Sequence, residues 1–240
     1  MTVSIFSRPI ARNKLSGEIE NMLLNGIIKG QLKVGEKLPT ERELARELDV
    51  NRSTVREALG KLESLDLVEI RHGDGVYVKD YLKSGSLELI RSLIRLDEGQ
   101  RDNVIKTLLR FRTVIAPEMA SLAARNRTDE HLASLEEVIR DDGLSVLEKD
   151  LHVHHVIALA STNILYLVLL NFFNKFTEEF AYLYFDDPVN AERSKRFHED
   201  IFGAIRDRND KKAKRIMEEV MKFAEDAVAA YLKQENHARR

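Results

Sequence analysis

Along residues 12–29 the apolar side chains fall at Leu15, Ile19, Met22, Leu23 and Ile27, one face of a helix. Gly26 weakens the C-terminal end of that helix by about 1 kcal/mol against alanine. Gly30, Gly35 and Pro39 break the pattern. It resumes after Thr40, which forms a capping box with Glu43 and opens a helix over 41–48 that buries Leu44 and Leu48. The chain turns at Asp49 and Val50. A second helix follows from about 51 to 64, with Val55, Ala58, Leu59 and Leu62 inward. The period then shortens: 67–71 and 76–79 are rich in β-branched residues and flank the tip His72-Gly73-Asp74-Gly75, which predicts a hairpin.

Two strands alone are marginal, so the hairpin must pack on the helices, giving a helix-turn-helix with a wing. Residues 80–86 (DYLKSGS) are short and polar and form the expected linker, with residues 1–79 before it. From 87 to 240 no strand signal appears. Helices are predicted over 87–96, 104–125, 128–141, 145–160, 163–185, 192–207 and 210–234, with Pro117 expected to kink or break the second of these. Helices of that number and length form an antiparallel bundle. The expected fold class is mainly α, a winged helix-turn-helix followed by an all-helical bundle.

Composition adds exclusions. A length of 240 residues fits one or two domains. The chain has no cysteine, which rules out disulfides and thiolate chemistry. The longest apolar run, 164–170, is far too short to cross a bilayer, and the first residues lack the apolar core of a signal peptide. The cytoplasm is the expected compartment. Charge argues mildly against a nucleic-acid partner: residues 1–80 hold 13 Lys+Arg and 13 Asp+Glu. A DNA reading must therefore rest on where charges sit. Arg52, Ser53 and Arg56 lie off the inward face near the start of the second helix, the arginines about one turn apart. On an isolated helix such arginines are usually solvated surface charges; in a winged helix-turn-helix, that helix start meets base edges in the major groove.

The segments LPTERELA, NRSTVREAL and RHGDGVYV agree in order and spacing with the DNA-binding domain of the GntR family of bacterial transcription regulators, which the first 80 or so residues resemble. The resemblance implies that Arg42 contacts phosphate or base. It implies that Asn51, Arg52, Ser53 and Arg56 read or position an operator, and that His72 and Gly73 at the wing tip reach the minor groove or the backbone. An arginine fork on guanine O6 and N7 is worth about 1–3 kcal/mol of discrimination; which arginine reads a base stays open. The helical half resembles the effector domain of the FadR-type branch, often called FCD, through LLRFRTVIAPEMASLAARN, KDLHVHHVIALASTN and RFHEDIFGAIRDRND.

Asp150 and His154 are four apart, on one helical face, and His198 lies on a later helix. Such a set inside a bundle can hold a divalent transition metal such as zinc, nickel or manganese. The resemblance matches these three to the first metal ligands of the branch, but puts Met221 or Val220 where a fourth, a histidine, is expected. Glu218 or Glu225 offers a replacement oxygen. Three readings stand side by side: a three-ligand metal site, a pocket that binds effector without metal, and histidines hydrogen-bonded in a core. By the same resemblance Arg112 faces the effector cavity, where it pairs with a carboxylate; as an isolated residue it reads equally as a surface charge. Asn163 matches a recurrent asparagine and reads equally as a helix N-cap. The apolar stretch 165–185 suits a core or dimer interface, or else a cavity for a fatty or aromatic effector.

The expected function is a homodimeric transcriptional regulator on a palindromic operator, controlled by a carboxylate or acyl effector. A metal-dependent enzyme using Asp150, His154 and His198 is the alternative, but no His-Glu-x-x-His, phosphate loop or Gly-x-Ser-x-Gly accompanies it. A scaffold whose winged helix binds protein is the third.

Overall fold

A computed structural model describes residues 12–94 and 98–238. The first eleven residues of the expected DNA-binding domain and the end of the helix predicted over 87–96 lie outside them. The chain divides between Arg101 and Asp102 into two compact units.

The first unit opens with α1 (Arg12–Ile28), α2 (Glu41–Glu47) and α3 (Arg52–Ser64), then the hairpin β1 (Val68–Arg71) and β2 (Gly75–Val78). Gly26 has a packing reason: a Cβ there would meet Leu32 Cδ1 at 3.0 Å, so a larger residue would make the Leu32 side chain give way. The capping box of α2 is complete, with Thr40 accepting from the Glu43 amide and Glu43 from the Thr40 amide. The strands pair antiparallel, Val68 opposite Val78 and Arg71 opposite Gly75. A third segment supports them: Leu38 N–H donates to Val76 and Val78 N–H to Glu36. The wing is thus stitched to the chain before α2 as well as packed on helices. Leu24, Val55, Leu59, Leu62 and Leu67 fill one core. Two short helices follow, α4 (Tyr81–Ser84), inside the predicted linker, and α5 (Leu87–Ile94). Leu89 of α5 joins the core of the first unit.

The second unit is helical: α6 (Glu98–Asn126), which begins just before the division, α7 (Asp129–Arg140), α8 (Val146–Ala160), α9 (Ile164–Glu179), α10 (Tyr182–Phe185), α11 (Pro188–Arg206) and α12 (Asp210–Ala238). Pro117 does not break α6. Its missing amide costs about 3 kcal/mol, offset by burial of Ala116, Met119, Ala120 and Ala123 on both sides of it. The helix predicted over 163–185 is two: α9 stops at Phe180 and α10 begins after Ala181. The apolar sequence runs through this joint, so periodicity could not show it. Helix α11 starts four residues earlier than predicted, with Pro188 at its first turn and Asp187 as N-cap. The architecture is mainly α, a winged helix-turn-helix and a helical bundle.

Candidate functional sites

On the first unit, Arg42, Asn51, Arg52, Ser53, Arg56, His72 and Gly73 are all exposed. Asn51 is the N-cap of α3 by position, yet its side chain makes no capping bond, so its amide stays available. The buried face of α3 (Thr54, Val55, Ala58, Leu59, Leu62) fixes which way Arg52, Ser53 and Arg56 stand. Gly73 has φ +79° at the wing tip, a conformation that L side chains rarely adopt.

Several cations of this face are held by carboxylates. Arg56 donates from Nε to Glu41 Oε1 at 2.9 Å and from Nη2 to Glu41 Oε2 at 2.6 Å. The hydrogen bond from Arg56 keeps the Glu41 carboxyl below its usual pKa. At the wing, Lys37 donates to one oxygen of Asp74 and Tyr77 to the other, both at 2.8 Å. The Arg71 guanidinium lies 4.2 Å from the Tyr77 ring centroid and pairs with Glu69. Glu41, Lys37 and Tyr77 were missed in the sequence; only the neutral charge count hinted that acids stand among these bases. No ion pair involves Arg42 or Arg52 among the described residues.

In the bundle, α8 and α11 bring Asp150, His154 and His198 together. His198 Nε2 lies 3.2 Å from Asp150 Oδ1; against a carboxylate it is the donor. Ser194, one turn before His198, donates to the same oxygen at 2.6 Å. His154 Nε2 is 3.7 Å from Asp150 Oδ2, beyond hydrogen-bond length. Its ring stacks on Phe197 with centroids 5.4 Å apart, and its Nδ1 is buried without a partner. Burial pushes the His154 pKa down to about 4, so the imidazole is neutral near pH 7. Burial would raise the Asp150 carboxyl, but the imidazoles and the bonds from His198 and Ser194 outweigh it and hold it below the usual carboxylate range. Ser194 was missed, although its i, i+4 spacing to His198 was the available signal.

Asp150, His154 and Ser194, but not His198, border a cavity of about 70 Å³, room for several water molecules or a small organic group. Arg112, Asp150, His154, Tyr184, Ser194 and Met221 are on its wall, with an apolar side from Ile105, Leu109, Phe176 and Val228. Arg112 donates to Thr177 Oγ1 at 3.3 Å and lies over the Phe173 ring, and among the described residues no carboxylate comes within ion-pair distance of it. Burial lowers its pKa, with Asp150 opposing. Burial also raises the Tyr184 phenol, whose hydroxyl has no partner. Asn163 is not on the wall; its side chain accepts from the Leu165 amide and caps α9. Glu218 and Glu225 are not on the wall either. Met221 is buried and its thioether is a soft donor, poorly matched to a carboxylate-imidazole set. Among the described residues no group of three His, Asp or Glu is disposed to hold a metal ion, and the hydrogen bonds from His198 and Ser194 occupy Asp150 Oδ1.

The sequence model of the family described as "Bacterial regulatory proteins, gntR family" matches residues 15–78, and that of the "FadR C-terminal domain" matches residues 79–235, well over half of the chain. The LutR transcriptional regulator of Bacillus subtilis is 30% identical over 220 residues, 87% of this chain and 98% of that one. A fatty acid metabolism regulator protein of Shewanella is 27% identical over 184 residues, 76% of each chain. The Mce2R regulator of Mycobacterium tuberculosis is 34% identical over 134 residues, so this chain spans 55% of that relative's length. The first family is described as one of bacterial regulatory proteins, and all three relatives are described as regulators, two of them of transcription. The chain belongs to the GntR family of bacterial transcriptional regulators, in the branch that carries a FadR C-terminal domain.

Proposed function

We propose that this regulator binds an operator through the start of α3 and the wing tip, and that a small molecule with a carboxylate or acyl carboxylate head, bound in the bundle cavity, controls it. Arg42, Asn51, Arg52, Ser53 and Arg56 contact the major groove and its phosphates; His72 and Gly73 reach the neighbouring backbone or minor groove. The observation that carries the effector half is Arg112: a guanidinium on a mostly apolar cavity wall with a hydroxyl partner, Asp150 on the same wall, and no carboxylate within ion-pair distance among the described residues. A ligand carboxylate supplies the missing charge bidentately, and the apolar side of the cavity takes its carbon chain. Tyr184 offers a further hydroxyl.

Phe111 and Val114 of α6 and Ile164, Leu165 and Val168 of α9 are large apolar residues left exposed; a second copy of the chain covers them, and the dimer's two heads meet a palindromic site in the cytoplasm. The test has two parts. Duplexes selected from a randomised library by the full chain carry an inverted repeat, and a carboxylate series at millimolar concentration raises the melting temperature and shifts affinity for the selected duplex. Selected pools no different from the input end the DNA reading; unmoved melting across the series ends the effector reading.

A divalent metal is the second reading, favoured by the two imidazole Nε2 atoms that face one carboxylate. Asp150, His154 and His198 would hold it, supplying a positive centre for the effector carboxylate. Zinc, nickel or manganese added to chelator-stripped protein raises its melting temperature if this holds; no shift at high excess ends it.

A further inference from the structure

We infer that Glu41 is a specificity-setting residue of the DNA face, acting by positioning Arg56; the inference rests on the DNA-binding reading above. Arg56 is well exposed, with 69% of its side chain accessible, while Glu41, at the first turn of α2, is 31% accessible. An exposed arginine ordinarily samples many rotamers. Here both Nε and Nη2 are engaged by the two Glu41 oxygens, in the fork geometry that fixes the guanidinium plane. The edge bearing Nη1 and the outer hydrogen of Nη2 is what remains to meet DNA.

The pairing has a second consequence. Arg56 and Glu41 together carry no net charge, and the carboxylate sits against the guanidinium that a phosphate would approach. Glu41 therefore subtracts from contact with any DNA, which depends on phosphate neutralisation. It leaves intact a contact with a base edge or one correctly placed group, which depends on direction. Arg42 and Arg52 make no ion pair among the described residues, although Arg52 stands in the field of Glu41 and Arg42 in that of Glu43. Glu41 thus acts twice on the ratio of specific to non-specific binding, by ordering Arg56 and by repelling DNA that offers only phosphates. This also gives the even charge balance of residues 1–80 a physical meaning.

The experiment compares wild type, Glu41→Gln, Glu41→Asp and Glu47→Gln on two probes: the duplex enriched by wild type from a randomised library, and the same duplex scrambled. Glu47 is an exposed acid at the other end of α2; its substitution removes the same charge away from Arg56. Glu41→Gln is expected to tighten the scrambled duplex and weaken the enriched one, narrowing their ratio about tenfold, with a salt slope on scrambled DNA steeper by about one. Glu41→Asp keeps the charge but shortens the reach, so it weakens the enriched duplex alone. Melting temperatures confirm that each variant is folded. Equal shifts on both duplexes for Glu41→Gln, or a ratio narrowed as much by Glu47→Gln, overturn the role of Glu41. Wild type that enriches no sequence overturns the DNA reading itself and this inference with it.

Discussion

In the first unit Arg52 and Arg56 stand in solvent about one turn apart while Val55, Ala58 and Leu59 are buried beside them. In the second, Asp150, Ser194 and His198 are drawn inward and satisfy one another. The first unit uses its core as a jig: burial fixes a helix so that polar groups project outward to a partner that is itself outside. The second uses its core as a container, and a polar group there must find a partner inside or wait for a ligand. A change to the jig misplaces side chains that remain solvated. A change to the container leaves buried polarity unpaired, at about 1–3 kcal/mol per group.

The broadest way to break that comparison is to damage each core. Leu59→Ala and Ile157→Ala remove side chains 1% and 0% exposed, and each is expected to lower stability by about 2–5 kcal/mol, read by denaturant unfolding. Below its melting point, Leu59→Ala should lose duplex affinity yet keep the carboxylate-induced shift of the bundle, and Ile157→Ala the reverse. If either variant loses both, the two units do not respond separately.

Arg112→Met sharpens the container half. The side chain is nearly isosteric and removes a desolvated cation, so the unliganded protein should be as stable as wild type or slightly more so. The stabilisation by carboxylate, about 2.7 kcal/mol at a hundredfold excess over Kd, should vanish. A variant that still responds to carboxylates shows that Arg112 is not the anion site.

These two cases also mark what the sequence could reveal. The exposed placement of residues such as Arg52 and His72 was readable because it depends on local geometry: a helix start or a tight turn sets the direction, and both have short-range signatures. Asp150 and His154 were readable for the same reason, sharing one helix. The remainder of the cavity was not. Tyr184 lies beyond a helix break inside an unbroken apolar run, and Ser194 is an ordinary serine until α11 is laid against α8. Arg112 and Thr177 are 65 positions apart. Pairings of that kind come from packing, which has no period. The Glu41–Arg56 pair escaped notice too, since each residue separately reads as surface charge.

Acid distinguishes the two regions more finely. His154 has a folded pKa near 4 against 6.5 for the free group. As pH falls through 6.5 the unfolded chain takes up a proton that the folded chain refuses until about 4. The unfolded state then binds more protons, so stability falls with acidification across this window and is flat above it. The slope reaches at most about 1.4 kcal/mol per pH unit. His154→Gln in chelator-containing buffer should flatten urea-derived stability between those values. An unchanged slope would mean the imidazole is not neutral in the fold.

The smallest effect is the most diagnostic. Thr40 and Ser145 are both N-caps closing capping boxes, on α2 and α8. Alanine at either should cost about 1 kcal/mol, and equilibrium unfolding should not tell them apart. Function should. Thr40 precedes Glu41, so fraying the first turn of α2 frees the carboxylate that grips Arg56 and should erode preference for the enriched duplex. Ser145 opens α8 one turn before Asp150, at a helix held by the bundle core along Val153, Val156 and Ile157, so its loss should leave duplex preference unchanged. Equal stability loss with unequal loss of discrimination would show that a capping bond in the jig sets the aim of a DNA-facing side chain, whereas the same bond in the container only holds a wall in place.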